Sequence, residues 1–171
     1  MSLQSFADSN GNINHGAARA YMIRHYPQGQ GINLANYNTG NQHYRTNCSM
    51  TTIAGNNSIR DGRTYAAYPS PPVHTSHMET AMVSGFQSRP SYNSVTHSMA
   101  NEPNGTQGTM FINHAPRPST SGNSQASPPI GHYFNVHRDN RGVVNYVDFQ
   151  NYMPADLGTN PDVIRYMRNN R

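Results

Sequence analysis

The residues able to do chemistry are few and mostly far apart in the chain. The sequence has nine histidines, eight carboxylates, one cysteine (Cys48) and no lysine, all twelve basic residues being arginine. Without lysine there is no ε-amino group for a Schiff base. The closest histidine spacings are His74/His77 and His132/His137. Neither pair is joined by a nearby cysteine or by a glutamate at helical spacing, as a zinc site requires. Cys48 stands alone, so no disulfide framework exists. There is no phosphate-cradling glycine motif and no nucleophile elbow. These residues predict a non-enzyme, with no catalytic residue, no metal and no cofactor.

Composition points the same way. Leu, Ile, Val and Phe number 3, 8, 8 and 5, about 14% of the 171 residues. Chains below roughly 20% on that measure rarely bury enough apolar surface to offset chain entropy. Asn, Ser, Gly, Thr, Pro and Gln make up close to half of the sequence, the make-up of a prion-like polar tract. The formal net charge is only +4, which predicts a loosely collapsed coil. The expected fold class is mostly intrinsically disordered, with a small conditionally folded C-terminal module and a short N-terminal helix.

The elements that would carry contacts follow from local patterning. Residues 1–27 form an N-terminal segment in which Ala18, Tyr21, Met22 and His25 fall on one helical face. This predicts a helix over 16–26 that ends at Pro27 and offers Tyr21, Met22 and Ile23 as a secondary contact. Residues 28–129 show no sustained period and read as a disordered, low-complexity spacer. Spaced tyrosines and arginines there predict weak self-association through stacking and cation–π contacts. Ser70 and Ser127 each precede proline, as proline-directed phosphorylation sites do.

Residues 130–171 are richer in large apolar and aromatic side chains and read as a C-terminal interaction module. Two extended runs flank a turn at Gly142, predicting a β-hairpin. Asn160 and Pro161 then read as the cap and first residue of a helix running to about residue 169. The residues expected to bind a folded protein partner are Tyr133, Phe134, Val144, Tyr146, Phe149, Val163, Tyr166 and Met167.

Residues 137–153 resemble the last calcium loop of EF-hand proteins. Gly142, Val144 and Asp148 fall at its sixth, eighth and twelfth positions, and Phe149 follows. The resemblance implies a calcium loop or a protein contact derived from one. His137 and Arg141 occupy ligand positions, however, and Asp148 stands where a bidentate glutamate is usual.

The function expected from all this is a disordered adaptor in a nuclear transcription or ribonucleoprotein assembly. The alternative is weak RNA or DNA binding through Arg138 and Arg141, with tyrosines stacking on bases. No apolar run approaches the ~18 residues that span a bilayer, and the first fifteen residues show no leader pattern. The expected location is therefore intracellular, nuclear or cytoplasmic, without membrane contact.

Overall fold

Alternating β-branched and aromatic residues build the strands of a mixed α and β structure. The computed structural model describes residues 1–114, 130–158 and 160–169. The strands are β1 (Gln87–Ser88), β2 (Gln107–His114), β3 (Ile130–Arg138), β4 (Val144–Asp148), β5 (Met153–Pro154) and β6 (Val163–Arg168). Among the described residues they form one six-stranded sheet in the order β1-β6-β2-β3-β4-β5, every neighbouring pair antiparallel.

Register assigns each strand residue to a face. Met110, Phe134 and Tyr166 form one cross-strand row, and Ile112, His132 and Ile164 the next. On this face α5 (Tyr92–Ala100) packs Val95 and Met99 against Met110, Phe134 and Tyr146. The opposite face carries Thr109, Phe111, Tyr133, Asn135 and Met167. There α3 (Cys48–Asp61) lies across β3, and α4 (Thr75–Met82) adds Met78 and Met82. The helix α1 (His15–His25) packs against β5, and residues of α1, α2 (Leu34–Tyr37) and α3 share one apolar cluster.

The structure overturns the expectation of disorder. The stretch 28–129, read as a spacer, contains α2 to α5 and the strands β1 and β2. Its core is built from residues that a Leu/Ile/Val/Phe count misses. Met22, Met78, Met82, Met99, Met110 and Met167 are fully buried, and Tyr26, Tyr133, Tyr146, Tyr152 and Tyr166 are nearly so. Each fully buried methionine contributes about 1.5–3 kcal/mol relative to leaving it exposed. The sequence has nine methionines and eleven tyrosines, enough to supply the core that the aliphatic residues do not.

Two local readings are also corrected. The C-terminal segment is not a helix after Pro161. Val163–Arg168 instead forms β6, inserted between β1 and β2. Its β-branched and aromatic residues gain more from burying Ile164, Tyr166 and Met167 in the sheet than the Asn160–Pro161 cap offers a free helix. The stretch resembling a calcium loop is the β3–β4 turn. Asp139 Oδ1 accepts the Arg141 and Val143 amides at 2.9 Å, and Gly142 takes a φ of +80°. The N-terminal helix runs from His15 to His25, capped by the Asn14 side chain on the Ala17 amide. Among the described residues, no helix is long and apolar enough to cross a membrane.

The contact of α3 with the sheet is unusually close. A Cβ built on Gly55 would stand 2.2 Å from the Phe149 ring, and one on Gly29 would stand 2.4 Å from its other side. Gly55→Ala is therefore an overpacking change, expected to cost about 1–3 kcal/mol. Chemical denaturation of the two proteins checks it; an unchanged midpoint and slope would show that Phe149 has room to move.

Candidate active site

Cys48 is the first residue of α3, at the positive end of a fourteen-residue helix. The loop that delivers it is held by neutral amides. Asn33 donates to the Tyr44 and Gln150 carbonyls at 3.0 and 2.9 Å. Asn47, at the helix cap, donates to Asn33 Oδ1 and the Tyr68 carbonyl at 3.1 and 3.0 Å. Gln150 Nε2 donates to the Arg45 carbonyl at 2.9 Å. All three amide residues are buried. With each polar group paired inside the protein, the loop has little freedom to shift.

His132 and Asp148 come from the sheet. The β3–β4 ladder pairs Asn135 with Val147, so continuing it by one step sets Asp148 opposite Phe134. His132, two residues further along, is then its diagonal neighbour on the same face, within side-chain reach. His132 Nε2 lies 2.8 Å from Asp148 Oδ2. The other carboxylate oxygen accepts the Gln150 amide at 2.9 Å. The Cys48 sulfur is close enough to act on the same imidazole, and both residues line one cleft. With Nε2 engaged by Asp148, Nδ1 is the nitrogen left for sulfur. Cys48 is 6% exposed and Asp148 8%, whereas the His132 side chain is 28% exposed, so little water reaches the sulfur and the carboxylate while the imidazole stays partly open.

Burial works against a charged imidazole here. The Asp148 carboxylate and the Cys48 sulfur outweigh it and raise the His132 pKa to about 10. Tyr133 beside it is pushed up to about 12, by burial first and by Cys48 second; it stays a neutral phenol, donating to the Val73 carbonyl at 3.2 Å. At neutral pH the site therefore presents the Cys48 sulfur with an imidazolium that a carboxylate orients, the arrangement that activates a cysteine nucleophile.

These groups sit in an open cleft of about 630 Å³, whose walls include Arg45, His74, Phe111, Tyr133, Gln150 and Arg165 as well as Cys48 and His132. That volume lies in the range of small-molecule and side-chain binding sites, about 300–1,000 Å³. His132 and Asp148 also border a smaller cavity of about 390 Å³ behind the site.

A family model described as papain fold toxin 1, glutamine deamidase, matches residues 46–152. The chain belongs to this family. The match begins two residues before Cys48 and extends past Asp148, so it takes in all three groups and the α3–sheet contact that assembles them. No curated protein matches the chain. The reading of a non-enzymatic, prion-like adaptor without catalytic residues is corrected by this membership and by the folded cleft.

The residues expected to bind a partner are placed differently from one another. Phe134, Val144, Tyr146, Phe149, Tyr166 and Met167 are buried in the core, where they hold the sheet and helices together. Only Tyr133 and Val163 reach the cleft. In α1, Met22 is fully buried, Tyr21 is half-buried against Asn145, and Ile23 is exposed. Arg138 is bound to the carbonyls of Ala100 and Glu102, and Arg141 pairs with Asp139 at 3.0 Å, so both guanidinium groups are engaged within the protein. His74 caps α4 through its ring, accepting the Ser76 amide. The Ser70 hydroxyl donates to the Pro71 carbonyl at 2.7 Å. Ser127 lies outside the described residues.

The signal missed in the sequence was the order of residue types. A single cysteine with histidine and aspartate far downstream is a candidate nucleophile, because such partners are adjacent in space rather than in sequence.

The raised His132 pKa fixes a sign for stability. An imidazolium favoured by the fold stabilises it fully below about pH 6.5, the ordinary imidazole value. That contribution is lost as pH rises toward about 10. Cys48→Ala, which leaves Asp148 alone to hold the imidazolium, should therefore lose stability as pH rises above about 6.5 relative to Cys48→Ala/His132→Gln. Urea unfolding of both proteins across the window measures it, and parallel curves would refute the charged pair.

Proposed function

We propose that this protein is a toxin-like thiol enzyme that hydrolyses the side-chain amide of glutamine to glutamate and ammonia. The observation that carries this reading is the Cys48–His132–Asp148 array in an open cleft, within a chain of the glutamine deamidase family.

The chemistry follows from the geometry. The Cys48 sulfur, as thiolate beside the His132 imidazolium, attacks the carboxamide carbon. Negative charge then moves to the carboxamide oxygen. The first-turn N–H groups of α3 have no partner within the helix, and they point with the positive end of its dipole toward Cys48. They are the donors placed to hold that oxyanion. His132 gives its proton to the amide nitrogen, the carbon–nitrogen bond breaks, and ammonia leaves a thioester on Cys48. The neutral imidazole next takes a proton from water as the water oxygen attacks the thioester. Collapse expels the Cys48 thiolate, returns the imidazolium and frees the carboxylic acid. Asp148 does not accept a proton in this sequence; it orients the ring and stabilises its charged form.

The roles give graded expectations. Cys48→Ala should abolish ammonia release from a glutamine-containing peptide, because no thioester can form. Asp148→Asn should keep the fold while lowering kcat by about 10²- to 10⁴-fold, since it removes the charge that holds the imidazolium. Ammonia assay and intact mass, which rises by about one dalton per amide converted, read both variants. Undiminished turnover by Cys48→Ala would overturn the mechanism.

A further inference from the structure

The charge of the cleft is one-sided. Arg45, His74 and Arg165 line it, and its described lining residues include no aspartate or glutamate. Five carboxylates are engaged with other groups: Asp61 with Arg60, Asp139 with Arg141, Glu102 with Arg168, Asp148 with His132, and Glu79, which also acts on Tyr133, with the Phe86 amide at 2.8 Å. Arg45 donates to the Tyr37 carbonyl at 3.3 Å and lies over its ring, 5.6 Å from the centroid. Neither contact neutralises its charge. The Arg165 side chain makes no hydrogen bond or ion pair with another described residue.

Sheet register gives the distance scale. Phe111 on β2 pairs with Tyr133 on one side and with Arg165 on the other. The three side chains therefore form a row on one face, an aromatic floor ending in a cation. Neighbouring strands lie about 4.8 Å apart, so the row spans roughly 10 Å, the length of about three residues of extended chain. A glutamine seated at Cys48 beside Tyr133 would bring a residue two or three positions away over Arg165.

Resting on the deamidase reading, we propose that the substrate is a protein segment carrying an aspartate or glutamate two or three residues from the target glutamine. Arg165 pairs with that carboxylate, and Arg45 adds positive charge on the other side of the cleft. The pair forms against an aromatic floor, partly shielded from water, where it guides encounter and register more than it adds affinity.

Three peptides of equal length test this, with a central glutamine flanked at those positions by glutamate, by serine or by arginine. The acidic peptide should show kcat/KM about tenfold above the neutral one at low salt, and the ratio should shrink at about 0.5 M salt. Arg165→Gln should remove most of the preference and Arg165→Lys should retain it. The same peptides, fluorescently labelled, are titrated against full-length Cys48→Ala to read the preference without the reaction. Turnover of all three peptides at equal kcat/KM, with equal binding, would overturn the inference and leave the deamidase reading intact. Charge-ranked, Arg165-dependent binding with no turnover of any peptide would sustain the preference and overturn the deamidase reading. Binding of a single-stranded oligonucleotide to Cys48→Ala as tightly as the acidic peptide, with the same loss in Arg165→Gln, would overturn the choice of a polypeptide.

Discussion

The site depends on how closely α3 lies against the sheet. Phe149 follows Asp148 directly, and its ring fills the slot between Gly55 of α3 and Gly29 of the segment after α1. Only residues without a Cβ admit the ring there. Around this contact Asn135 of β3 donates to the Thr52 carbonyl of α3 at 3.0 Å, and Gln150 reaches back to the carbonyl of Arg45. Helix, central strand and the turn after β4 are thus tied to one another through shared neighbours. Contacts of this kind are coupled rather than additive, so Cys48, His132 and Asp148 are positioned as one unit although they come from three elements.

The same turn is strained. Tyr152 has a φ of +57°, uncommon for a residue with a side chain. It is fully buried, and its hydroxyl donates to the Tyr26 carbonyl at 2.9 Å. A backbone outlier of this type costs on the order of 1–3 kcal/mol and persists only where surrounding contacts determine it. Here those contacts are the cluster of Met22, Tyr26, Ile32 and Phe149. The turn that sets the Asp148 carboxylate is therefore held by the packing of α1 and the segment following it, and the N-terminal part of the chain serves the site without touching substrate.

What could be read from the sequence was what local residues decide. The helix over 16–26 and the turn at Gly142 both show themselves within about ten residues, by apolar spacing in one case and by a glycine after polar turn residues in the other. β6 was misread because a cap and a proline are local signals, whereas the pairing with β2 that overrides them is not. The helix α3 escaped altogether. Its buried face carries Ser49, Thr51, Thr52, Asn56 and Ser58, so no apolar period marks it. Two of its hydroxyls are satisfied at short range, Thr51 and Thr52 both donating to the Cys48 carbonyl. At the site, Asp148 was visible only as the end of a loop resembling a calcium site, and His132 as one histidine among nine. Their adjacency follows from β3–β4 register, which the turn at Gly142 largely determines. The approach of Cys48 depends on α3 packing, which no sequence spacing records.

The amide-rich composition that reads as disorder has a physical use at the site. Keeping His132 charged in a partly buried place requires the Asp148 carboxylate, and an uncompensated charge near them would shift that balance. Asn33, Asn47, Asn135 and Gln150 can donate and accept at once while adding no net charge. They join loop, helix and strand with hydrogen bonds that leave the field at the imidazole to Asp148 and Cys48. Arginine–carboxylate pairs doing the same bracing would bring full charges within a few ångströms of the imidazolium. Bracing the charged array with neutral amides is thus a consistent solution, and it explains why a chain poor in both aliphatic and charged residues can still fold into a rigid reactive cleft.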